Sequence, residues 1–165
     1  MSDDSHDEPA VIWADRPTIK QRTAVQHAVE RLLDDLAPER APPRADIPMA
    51  AVQRHRTPRG CILQAVGGAV SVSWFPASTN DDAYGELQVI AWRGVVSRPG
   101  SSAARRAGSA VSEWQMVLQP TEVVGEAWGW RVPDGSTLDS AALTARINSL
   151  LAERMTTDLP DARAS

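Results

Sequence analysis

Apolar residues recur along this chain in two rhythms, and the change from one to the other organises it. Over residues 17–37, Val25, Val29, Leu32, Leu33 and Leu36 fall three or four positions apart, which puts them on one stripe of an α-helix. Arg22, Gln26, Glu30, Arg31 and Asp34 lie largely off that stripe. Pro17 suits a first helical turn, and Thr18 with Gln21 has the spacing of a capping box. Residues 38–48 then hold four prolines. Proline lacks a backbone donor and has a fixed φ, so this stretch reads as a stiff connector rather than helix or central strand.

From about residue 49 to residue 132 the period drops to two. CILQAV and AVSVSWF flank Gly67-Gly68, which predicts a hairpin with a two-residue turn. That register pairs Val66 with Ala69, Ala65 with Val70, Leu63 with Val72 and Cys61 with Trp74. One face then carries Cys61, Leu63, Ala65, Val70, Val72 and Trp74, and the other Ile62, Gln64, Ser71, Ser73 and Phe75. TPRG at 57–60 suits a turn after an earlier strand over 50–56. Residues 76–85 form a polar loop, and 84–96 a strand apolar on both faces. A second hairpin over 111–132 turns at Pro120-Thr121 or at Gly125-Glu126. Either two-residue turn puts Trp114, Met116 and Leu118 with Ala127 and Gly129, and sends Trp128 and Trp130 to the opposite face. After PDGS, Asp139 is an N-cap for a closing helix with the stripe Leu143, Ile147, Leu150, Leu151 and Met155.

These elements predict one α+β domain over 16–156: a five- to six-stranded antiparallel meander sheet flanked by an N-terminal and a C-terminal helix. Residues 1–15 read as an acidic extended tail, 97–110 as an Arg/Ser/Gly loop, and 157–165 as a C-terminal tail. Both helices are expected on the sheet face of Trp74, Trp114, Met116 and Leu118. A domain of 165 residues supports its own core without metals or disulfides.

Composition changes the picture in four places. The chain has six Trp against one Phe and one Tyr, so indole placement marks which surfaces matter. A single cysteine, Cys61, excludes an internal disulfide and points to a reducing compartment and an inert buried thiol. Sixteen of the 17 basic residues are Arg, a usage that follows from GC-rich codons. Net charge is −4 but unevenly spread: residues 50–110 carry seven Arg and three acids, whereas both flanking thirds are acidic. Folding that brings opposite signs together explains this distribution.

Candidate chemistry is sparse. His6, His27 and His55 have no metal-ligand spacing, and Asn80, Asp81, Asp82 and Glu86 lack the alternation of a calcium loop. No nucleophile elbow or phosphate-cradling loop is present. Glu113, Glu122 and Glu126 are candidates for paired acid–base carboxylates, but their alternation with Trp and Gln equally fits a solvated sheet face. The expectation is therefore a non-enzymatic protein with no catalytic, cofactor or metal residues. It would be an accessory or structural subunit binding other proteins, cytoplasmic and peripheral to the cytoplasmic face of a membrane complex. The expected contacts are Trp128, Trp130 and Trp92 on the second sheet face, and Trp13 in the tail. One alternative is a small-molecule cup, or an enzyme of unknown chemistry, lined by the same indoles. Another is a binder of anionic lipid or nucleic acid through Arg54, Arg56, Arg98, Arg105 and Arg106, against which the acidic pI of 5.3 argues.

Overall fold

A computed structural model describes residues 16–38, 52–96, 110–125 and 127–156. The predicted first helix is α1 (Ile19–Leu36). Its capping box forms as read: the Gln21 amide donates to Thr18 Oγ1 at 3.2 Å, and the Thr18 amide donates to Gln21 Oε1 at 2.8 Å. Seven strands follow in sequence order: β1 (Gln53–Thr57), β2 (Gly60–Gln64), β3 (Gly68–Pro76), β4 (Gly85–Arg93), β5 (Val111–Val123), β6 (Ala127–Arg131) and β7 (Thr137–Leu138). Each pairs antiparallel with the next, so the sheet is an uninterrupted meander β1 to β7. Helix α2 (Ser140–Thr156) closes the chain, and the Asp139 carboxylate caps it by accepting from the Ala142 amide at 2.7 Å. The fold is α+β as expected. The extra strand is β7, a two-residue return from the PDGS turn that was too short to leave a periodic signal.

One face of the sheet meets both helices. Leu63, Val70, Val72, Leu87, Val89, Met116 and Leu118 pack with Val25, Val29, Leu32, Leu33 and Leu36 of α1 and with Leu143, Ile147 and Leu151 of α2. The expected side for the helices is the observed one, and Trp74 and Trp114 belong to it.

Two registers depart from expectation. In the β2–β3 hairpin Leu63 pairs with Val70 and Cys61 with Val72, a shift of two residues. The turn is Val66-Gly67, closed by the Ala65 amide donating to the Gly68 carbonyl at 2.9 Å, with Gly67 at φ +86°. Gly68 serves a different need: a Cβ there would lie 2.7 Å from Cβ of Arg154 on α2. A two-residue shift preserves strand parity, so both faces keep their predicted residues.

The β5–β6 hairpin is the substantive correction. Val123 pairs with Ala127, leaving residues 124–126 between them; Glu122 pairs with Trp128 and Pro120 with Trp130. An odd-numbered loop puts even residues opposite even residues. Trp128 and Trp130 therefore share the helix-covered face with Met116 and Leu118, while Gly129 and Ala127 point away. Both anticipated turns had two residues, and that assumption inverted the result.

Candidate functional site

The expected docking pair does not form a surface. Trp130 has 0% exposure, sits in the core, and its indole N–H donates to Ser140 Oγ at 3.2 Å. Trp128 packs partly buried against the core and meets Tyr84 edge to face, with ring centroids 4.9 Å apart. These indoles join the second hairpin to α2 and to the 84–85 corner. Trp13 lies outside the described residues.

Trp92 is placed as anticipated, on the face no described helix covers. It lies across Ala69, its cross-strand partner, which it helps to bury completely. Its indole N–H donates to Ser71 Oγ at 2.9 Å, which ties the ring to the neighbouring strand. Ile62 and Ser71 are paired, Ser71 pairs with Ile90, and Ile90 with Gln115. Ile62, Ile90, Trp92 and Val117 are all half-buried, with Phe75 exposed at one corner. The polar residues among them are Ser71, Ser73, Gln88 and Gln115. In a chain that is 23% charged, Glu86 at the rim is the one charged residue on this face of β2–β5, among the described residues. Sequence periodicity assigned most of these residues to the second face; Val117 follows from the same alternation, opposite Met116 and Leu118, but attention to the indoles left it out.

The Gln64 side chain closes one end of this face. Its amide nitrogen donates to the carbonyls of Ala65 and Gly68 at 2.7 and 3.0 Å, and its oxygen accepts from the Val96 amide at 2.9 Å. The chain leaving β4 is thereby held against the β2–β3 turn.

Arg54 and Arg56 are on the opposite side. Their cross-strand partners, Leu63 and Cys61, belong to the core face. The Arg54 guanidinium donates to the Leu36 carbonyl at the end of α1, and Arg56 pairs with Asp34 at 3.4 Å. Arg98, Arg105 and Arg106 fall outside the described residues. Other charges also pair, Arg93–Glu113 and Arg16–Asp82 across the chain's thirds and Arg154–Glu113 within the last. Glu113, the extra residue of a β-bulge, holds both Arg93 and Arg154, and Arg16 meets Asp82 at 3.3 Å. The 81–83 loop is strapped to α1 by Arg22, which donates to the Asp81 and Ala83 carbonyls at 2.6 and 3.1 Å. That loop is a structural corner.

Cys61 is 1% exposed, and burial pushes its thiol up from an ordinary 9.0 to about 11 despite Arg56 and Arg54 nearby. A thiol that stays protonated is a poor nucleophile. Among the described residues no group of three His, Cys, Asp or Glu is placed to hold a metal, and no helix is long and apolar enough to cross a membrane. Comparison with protein-family models, with curated proteins and with solved structures finds no match to this chain.

Proposed function

We propose that this protein is a non-catalytic subunit that docks another protein on the sheet face that no described helix covers, through Ile62, Ile90, Trp92 and Val117. The observation that carries the reading is that, among the described residues, the interior of that face carries no charged side chain, the charges Glu86 and Arg59 lying at its Phe75 corner. Interface cores are depleted of charge and enriched in Trp, because a buried unpaired charge is costly while an indole contributes a large area at small entropic cost. The Trp92–Ser71 bond holds the ring in place before contact, so little side-chain freedom is lost on binding. The face is neutral, so the partner it fits is an apolar, uncharged protein surface rather than a polyanion.

Oxidative footprinting of the assembly recovered from its own cells tests this. Trp92 should be modified readily in the isolated chain and protected in the assembly, with Trp130 protected in both. Equal modification of Trp92 in the two samples would rule out docking on this face.

A further inference from the structure

The Phe75 corner of the second face carries two charges. The Arg59 guanidinium lies over the Phe75 ring, 5.4 Å from its centroid. It arrives from the β2 side, where the Arg59 carbonyl accepts from the Trp74 amide at 2.7 Å. Glu86 arrives from the β4 side, as the cross-strand partner of Phe75. Both are exposed, and among the described residues neither is paired with an opposite charge. One aromatic residue of β3 is thus flanked by an arginine on one side and a glutamate on the other.

The same balance about β3 continues along the strand. Its neighbours are β2 and β4, with β1 and β5 the next pair out. Ser71 stands between Ile62 and Ile90, and Ala69 between Gln64 and Trp92. Ser73 stands between Gly60 and Gln88, with Thr57 and Val117 beyond them. A two-fold axis lying along β3 would exchange the strands row by row. It sets Ile62 against Ile90 of a second copy, Trp92 against Gln64, Thr57 against Val117, and Arg59 against Glu86. Ala69, Ser71 and Ser73, on the axis, are small enough for the two sheets to approach. A two-fold interface uses one patch on both subunits, so that patch must complement itself. An axis at right angles to β3 would instead lay the Phe75 corner over the Trp92 end and leave both charges unmatched.

We infer that the partner docked on this face is a second copy of the same chain, in a face-to-face dimer whose two-fold axis runs along β3 and whose rim is closed by two Arg59–Glu86 pairs. This rests on the docking reading above and names its partner, since the apolar, uncharged surface that reading calls for is this face itself. Aligned strands are also a common way for two sheets to pack. A strand spacing of about 4.8 Å and a rise of about 3.4 Å per residue give β1–β5 a footprint of about 20 Å by 20 Å. That is small for a specific interface, so the dimer should dissociate in the micromolar range.

The test is analytical ultracentrifugation of the purified full chain with reciprocal charge reversals. The parent should sediment as a dimer at about 100 µM. Arg59→Glu and Glu86→Arg, both at exposed positions, should each weaken the dimer at least about tenfold, because each sets like charges opposite one another twice. An equimolar mixture of the two variants should return to within about threefold of the parent's affinity, since every rim contact is again between opposite charges. Recovery on mixing cannot arise within one chain, so it isolates the contact between copies from the Arg59–Phe75 contact. A parent that stays a single chain at about 500 µM, or a mixture as weak as either variant alone, would overturn the assignment. Protection of Trp92 in the cellular assembly would then leave docking on this face intact with a different protein. Footprinting the isolated chain at a dilution where it sediments as a single chain keeps the two tests apart.

Discussion

Trp130 and Trp92 are chemically identical side chains, and the fold gives them opposite consequences. Trp130 is sealed beneath the helices with its N–H bonded to Ser140, so Trp130→Ala leaves a large cavity and an orphaned hydroxyl. Such a change should cost about 3–5 kcal/mol in urea unfolding. Trp92 lies half-buried on the face that no described helix covers, and Trp92→Ala should cost about 1 kcal/mol or less, mostly through uncovering Ala69 and Ser71. Equal costs would mean that the two faces are buried alike. Cys61 gives a residue-scale test of burial by pH. Its folded thiol, at about 11, binds its proton more tightly than the unfolded one at 9.0. The stability linked to this group is therefore complete below pH 9.0 and lost as pH rises towards 11. Alkylation at pH 8 should be much slower in the native chain than in urea; equal rates would show the thiol to be accessible.

At the scale of elements, period and capping chemistry carried most of the information. The α1 stripe and its Thr18–Gln21 box were legible because helix signals are local, and Thr18→Ala should lower stability by about 1 kcal/mol in denaturant melts. Hairpin registers were less legible. The two-residue error around Gly67-Gly68 was harmless, since a glycine can be chosen for close approach as readily as for positive φ. The error between 119 and 126 was not, because a loop of odd length reverses which face a distant indole takes. Nothing local distinguishes these lengths; the decision is made by burying Trp130 against α2. Close approach also gives a sharp prediction at Gly60, where a Cβ would sit 1.8 Å from the Val72 carbonyl oxygen. That atom is backbone and paired in the ladder, so Gly60→Ala should cost about 3 kcal/mol or more by thermal or urea unfolding.

For the whole molecule, the decisive property is one-sidedness. Seven strands present a single face to two helices, and among the described residues the reverse of β2–β5 is half-buried and charged only at its rim. The uneven charge of the sequence resolves within the fold, since Arg56–Asp34 and Arg93–Glu113 each join the basic middle to an acidic flank. Each pair has one largely exposed partner, so it adds about 1 kcal/mol or less. They show why counting arginines did not identify a polyanion site: Arg54 and Arg56 are turned towards α1. The neutral face was partly legible, as Ile90, Trp92 and Phe75 alternate correctly. Docking on an uncharged face should change little between 50 and 500 mM salt, whereas a charge-driven contact would weaken steeply. The native mass of the protein in extracts of its own cells, compared with that of Ile90→Lys, is the most direct measurement. A lysine in the middle of the neutral face should reduce a larger assembly to the single chain while leaving the melting curve within about 1 kcal/mol of the parent. A parent that already runs as a single chain, or an Ile90→Lys variant that keeps its full assembled mass, would contradict docking on that face.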